Sequence, residues 1–81
     1  MPQTPQQAIN ALSKFTKFRF LAMDENGDWC AYVKKPIEPG VGDSIWTWQN
    51  GDNPIVISHK FTDIHPKPHW RDSLVEYREK H

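Results

Sequence analysis

The sequence predicts an α+β domain: a small antiparallel sheet of about four strands, arranged as two hairpins, with a short helix at each end of the chain. Three observations predict it. The pair Asn26-Gly27 stands between two apolar-rich runs, Lys17 to Asp24 and Trp29 to Lys35. A second turn segment, Asn50-Gly51-Asp52-Asn53, separates Ile45–Gln49 from Pro54–Ser58. At both ends of the chain the apolar residues fall at helical rather than strand spacing.

The N-terminal helix is expected over residues 5–14. Thr4-Pro5-Gln6-Gln7 has the form of a capping box, in which the Thr4 hydroxyl and the Gln7 amide each satisfy the other residue's backbone N–H. Pro5 stands at the first helical position, where its missing N–H costs nothing. Ala8, Ile9, Leu12 and Phe15 follow at helical spacing.

The first hairpin is expected to turn through a two-residue type I′ loop at Asn26 and Gly27, because that turn needs positive φ at both positions. Asp24 then faces Trp29, Ala22 faces Ala31, and Phe20 faces Val33. One face carries Phe18, Phe20, Ala22, Trp29, Ala31 and Val33 and is assigned to the core. The other carries Arg19, Leu21, Met23, Cys30, Tyr32 and Lys34. That face is half apolar, which is unusual for a solvated one.

In the second hairpin a four-residue loop sets Trp48 opposite Ile55 and Trp46 opposite Ile57; a two-residue loop would set Trp46 opposite Ile55. Trp70, Leu74 and Tyr77 lie at i, i+4 and i+7 and predict a C-terminal helix over 70–79. The expected core holds Phe18, Phe20, Trp29, Val33, Trp46, Trp48, Ile55, Ile57, Trp70 and Leu74. The 81 residues read as a single domain, with a helical extension over 1–15 and a β-rich core with its helix over 16–81.

Composition narrows the function. A chain this short buries about 60% of its unfolded surface, which leaves little room for a deep substrate pocket. Ten basic residues balance ten acidic ones, so a strongly basic nucleic-acid binder is disfavoured. One cysteine allows no disulfide within the chain and suits a reducing cytoplasm. No stretch approaches the ~20 apolar residues of a membrane span, so no membrane partner is expected. Four tryptophans are dense for this length; large rings are an efficient way to build a small core.

No catalytic constellation stands out, and the chain is expected not to be an enzyme. Ser58 and His59 are adjacent and would point to opposite faces of a strand. Cys30 in mid-strand is expected to be a passive thiol. His65 and His69 have an i, i+4 spacing, yet Pro66 and Pro68 extend the segment between them, and neither His59 nor Asp63 fixes a geometry. Neither a metal nor a cofactor is predicted. Asp24, Glu25 and Asp28 at the first hairpin tip read as turn chemistry rather than a calcium loop.

Phe20-Leu21-Ala22-Met23-Asp24-Glu25-Asn26-Gly27-Asp28-Trp29, followed by Lys35-Pro36 and later by Trp70-Arg71-Asp72-Ser73-Leu74, resembles a loose group of short phage and prophage proteins of unknown function. Their shared pattern is an F-x-a-x-D-x-x-G-x-W hairpin, a K-P after it, and W-x-x-S-L near the end. The resemblance covers about two-thirds of the chain, leaves out the N-terminal helix, and carries no catalytic residue. It implies a context: a small accessory protein that acts by binding in the host cytoplasm, as an inhibitor of a host defence or regulatory protein.

The half-apolar hairpin face is the expected contact surface, through Leu21, Met23, Tyr32 and Lys34, with Arg19 at its margin. The expected partner is an unidentified host protein, with a second copy of the chain competing for the same face. The rival readings are a nucleic-acid module, using Lys14, Lys17, Arg19, Lys34 and Lys35 around Tyr32, and a nucleotide-signal sponge that stacks a base on aromatic residues.

Overall fold

The computed structural model describes residues 4–57, 64 and 69–78. The chain runs from helix α1 (Pro5–Ser13) through strands β1 (Phe20–Met23), β2 (Trp29–Tyr32) and β3 (Ile55–Val56), then a 3₁₀ turn (Trp70–Asp72), into strand β4 (Val75–Glu76). The four strands form one antiparallel sheet in the order β3-β2-β1-β4. The α+β class and the four-strand sheet are as expected, but the connectivity is not.

Helix α1 forms as its sequence dictates. The Gln7 N–H donates to Thr4 Oγ1 at 3.1 Å and the Thr4 N–H to Gln7 Oε1 at 3.0 Å. The helix read as an extension is part of the core, because Ala8 and Ile9 are fully buried in the same cluster as β1 and β2. Its polar side is tied to the C-terminal strand region: Gln6 donates to the Glu76 carbonyl, and the Arg78 N–H donates to Asn10 Oδ1.

The first hairpin forms with a different loop. The Gly27 N–H donates to the Asp24 carbonyl and the Asp24 N–H to the Asp28 carbonyl, each at 2.9 Å. Gly27 has φ 92°, whereas no non-glycine among the described residues has positive φ. Only one loop residue is therefore left-handed, and the connection is a three-residue loop, a type I turn followed by a left-handed glycine. The register moves by one: Met23 faces Trp29, Leu21 faces Ala31, Ala22 faces Cys30 and Phe20 faces Tyr32. A one-residue slip turns one strand's side chains over relative to the other's. Leu21, Met23, Trp29 and Ala31 thus share one face; Phe20, Ala22, Cys30 and Tyr32 share the other. Both faces are covered, and β2 is buried along its whole length.

The second hairpin is not formed. Ile55–Val56 pairs with β2, as Cys30↔Val56 and Ala31↔Ile55, rather than with Ile45–Gln49. Ile45–Gln49 holds no strand; Thr47 makes a single bridge to Ile37. The Asn50-Gly51 turn does exist, closed by the Asp52 N–H to the Gln49 carbonyl with Gly51 at φ 87°. It returns the chain to β2 because the Asp52 carboxylate accepts the N–H groups of Val33 and Lys34, both past the end of β2.

The C-terminal helix expected over 70–79 is replaced, within the described residues, by the 3₁₀ turn and β4. Ser73 ends the turn by bonding to β1: its Oγ accepts the Met23 N–H at 2.7 Å and lies 2.6 Å from the Trp70 carbonyl. The chain then pairs along β1, as Leu21↔Val75 and Phe20↔Glu76, and the Tyr77 N–H donates to the Arg19 carbonyl. The unpaired edge of β1 outcompetes a short amphipathic helix that would be marginal alone.

The core gathers Ala8, Ile9, the buried residues of β1 and β2, Trp46, Ile57, Ile64 and Trp70. Of the expected core, Trp29, Trp46, Ile57 and Trp70 are buried, while Phe18, Phe20 and Leu74 are partly so. Trp48 and Ile55 are exposed.

Candidate functional site

The sheet face bearing Cys30 and Tyr32 underlies a pocket of about 310 Å³, lined by Asp24, Cys30, Tyr32, Ile45, Trp46, Trp48, Asn53, Pro54 and Val56. Its outer wall is the irregular segment 45–54, which is anchored at several points. The Trp46 N–H donates to Asp24 Oδ1 at 2.9 Å, and the Glu25 N–H donates to the Ser44 carbonyl at 3.0 Å. The buried Trp46 indole N–H donates to the Trp70 carbonyl at 3.0 Å, so its polar tip is satisfied inside the protein. The Gln49 amide donates to the Lys35 carbonyl at 2.7 Å. Arg71 lies 4.6 Å over the Trp70 ring and donates to the Pro39 and Gly40 carbonyls, fixing the preceding loop.

Three ionisable groups meet in the pocket. The Cys30 thiol donates to Asp24 Oδ2 at 3.7 Å. Burial, offset by the Trp46 N–H and the thiol, pushes the Asp24 carboxyl above its ordinary value. Burial, reinforced by the negative charge of Asp24, pushes the Cys30 thiol up to about 12. Burial, with Cys30 and Asp24 behind it, likewise pushes the Tyr32 phenol up. At neutral pH the thiol and phenol are therefore uncharged. A thiol held this way is a poor nucleophile, since reactivity belongs to the thiolate.

The five expected contact residues are not brought together as a surface. Leu21 is 0% exposed and Met23 is buried beside it, on the sheet face opposite the pocket. Tyr32 is 1% exposed and faces the pocket from within. The one-residue register shift and the cover over both sheet faces account for this correction. Arg19 and Lys34 remain exposed, each bonded to nearby backbone carbonyls. The Arg19 guanidinium donates to the Thr16 and Phe18 carbonyls and lies 5.6 Å over the Tyr77 ring. Lys34 Nζ donates to the Asn50 carbonyl.

What sequence reasoning missed is the role of Asp24 and Trp48. Asp24 was readable as turn chemistry and does close the hairpin; that its carboxylate also holds Trp46 depends on a contact 22 positions away. Trp48, expected in the core, is 48% exposed at the pocket. His69 Nδ1 accepts the Arg71 N–H, and its ring stacks near Trp70 at 6.3 Å. His59, His65 and Asp63 lie outside the described residues. Among the described residues no group of three His, Cys, Asp or Glu side chains could hold a metal ion. No described helix is long and apolar enough to cross a membrane.

Set beside known protein families, curated proteins and solved structures, the chain matches none of them.

Proposed function

We propose that the protein acts by binding: it is a small, non-enzymatic, phage-type interaction protein that inhibits a host defence or regulatory protein. The observation that carries this reading is the exposed apolar collar around the pocket. Ile45, Trp48 and Val56 line the pocket and are each about half exposed, Val56 from edge strand β3. Exposed apolar groups clustered at a concavity mark interaction sites, and tryptophan is the side chain most often found to dominate an interface. The segment that presents them is held by backbone and side-chain bonds before any partner arrives, which lowers the ordering cost of association. The phage context rests on the hairpin and W-x-x-S-L pattern alone.

The rival readings have less support. A basic platform for nucleic acid needs an exposed ring between its cations, and Tyr32 is buried. A pocket for a nucleotide needs partners for phosphate, whereas the described lining residues include a carboxylate and no basic side chain.

The test is capture of one defined partner from the natural host by the protein and by Trp48→Ala. Because Trp48 is half exposed, the variant should keep its stability to within ~0.5 kcal/mol while losing ~10-fold or more in partner affinity. Undiminished capture by the variant would remove this surface from the function.

A further inference from the structure

We propose that the pocket between segment 45–54 and the sheet binds an organic ammonium group, preferring an N-methylated one, with Asp24 as the counter-charge and Trp46, Trp48 and Tyr32 as its aromatic surroundings. The assignment rests on the pocket and stands whether a partner protein or a free small amine supplies the group.

The lining chemistry selects for charge sign. Asp24 is the one charged side chain among the nine described lining residues, which include no lysine, arginine or histidine. Among the described residues Asp24 has no ion-pair partner. Its Oδ1 accepts one backbone N–H and its Oδ2 faces one thiol, a weak donor. A carboxylate offers about four acceptor positions, so capacity remains for a cation. Asp28 adds a second negative charge close enough to act on both Asp24 and Cys30. Burial is the larger cause of the raised Cys30 and Tyr32 values, but the Asp24 charge adds to it, and that part acts against negative charge alone.

The rest of the lining selects among cations. Two tryptophans and a tyrosine line the pocket; aromatic rings attract ammonium groups by their quadrupole, tryptophan most strongly. Ile45, Pro54 and Val56 offer apolar contact to alkyl substituents. A bare metal ion or a strongly hydrated ammonium would lose water here for a single carboxylate. A methylated ammonium is weakly hydrated and carries its charge inside an apolar shell, which matches a mostly apolar pocket with one acid. The volume of about 310 Å³ lies at the small end of ligand sites and suits a compact head group.

Three probes test the proposal on the whole protein at matched ionic strength: tetramethylammonium, the neutral branched alcohol 3,3-dimethylbutan-1-ol, and acetate. Amide and indole resonances of Asp24, Trp46 and Trp48 report binding. Tetramethylammonium should saturate these shifts, with the alcohol weaker by about ten-fold and acetate inert. Asp24→Asn should weaken the cation by about ten-fold and leave the alcohol unchanged. Equal affinity for cation and alcohol, shifts confined to other residues, or no saturation by the cation would overturn the proposal. Should Asp24→Asn fail to fold, the comparison of cation with alcohol on the unmodified protein decides. A short peptide bearing trimethyl-lysine identifies the source. Tighter binding than tetramethylammonium by ten-fold points to a partner's lysine, and equal binding points to a free amine. Failure here leaves the Trp48→Ala capture experiment unaffected, so the two readings can fail separately.

Discussion

Cys30 and Tyr32 hold their protons inside the molecule beside the Asp24 carboxylate, and this couples single residues to the stability of the whole. The unfolded thiol ionises near 9.0, whereas the folded one is held up to about 12. Between those values the unfolded chain has released a proton that the folded chain retains. The stabilising contribution is thus complete below pH 9.0 and is lost as the pH rises through about 12. Tyr32 acts in the same direction above its ordinary value of 10.0. Urea unfolding of the protein should therefore show stability falling from about pH 8.5 to about pH 11. Cys30→Ala should fall less steeply over that range, and an identical slope would show that the thiol does not titrate on unfolding. The other decisive residue is Gly27. An Asn-Gly pair predicts a turn with two left-handed residues, but Asn26 instead accepts the Asp28 N–H on its own side chain at 2.9 Å. This local bond lets Asn26 keep an ordinary backbone conformation. Gly27 alone takes the left-handed angle, and the register moves by one residue.

At the scale of elements, what could be read from the sequence depended on where the bonds close. Helix α1 was legible, cap included, because Thr4 and Gln7 satisfy each other three residues apart. The turns at Asn26-Gly27 and Asn50-Gly51 were legible as turns for the same reason. Strand partners were not. Ile55-Val56 was expected against Ile45–Gln49 and lies against β2. Trp70, Leu74 and Tyr77 have helical spacing, yet Val75 and Glu76 complete the sheet. Ser73 makes that choice. It is 1% exposed, and its hydroxyl accepts the Met23 N–H across 50 positions of sequence and reaches the Trp70 carbonyl three positions away. Ser73→Ala should leave the Met23 N–H buried without an acceptor and cost ~1–3 kcal/mol in urea unfolding. A loss of only a few tenths would mean that β4 is held by its strand pairing alone.

For the whole molecule, one buried cluster joins α1, both faces of the sheet, Trp46 and Trp70. No described part has a separate core. Far-ultraviolet circular dichroism, which reports the backbone, and tryptophan fluorescence, which reports the ring environment, should therefore give coincident unfolding curves. Helix loss ahead of the tryptophan transition would show α1 to be a detachable extension after all. Local chemistry in the sequence determined the α+β class, the capped first helix, the positions of the two glycine turns and the presence of a tryptophan-rich core. Tertiary structure alone decided the hairpin register, the pairing of β3 and β4, and the meeting of Asp24, Cys30, Tyr32, Trp46 and Trp48 around one pocket. The reason is physical: caps and turns close over three or four residues and are written in adjacent side chains. Strand partners are chosen by competition among distant segments for the same backbone edge, and a pocket exists only once that competition has been settled.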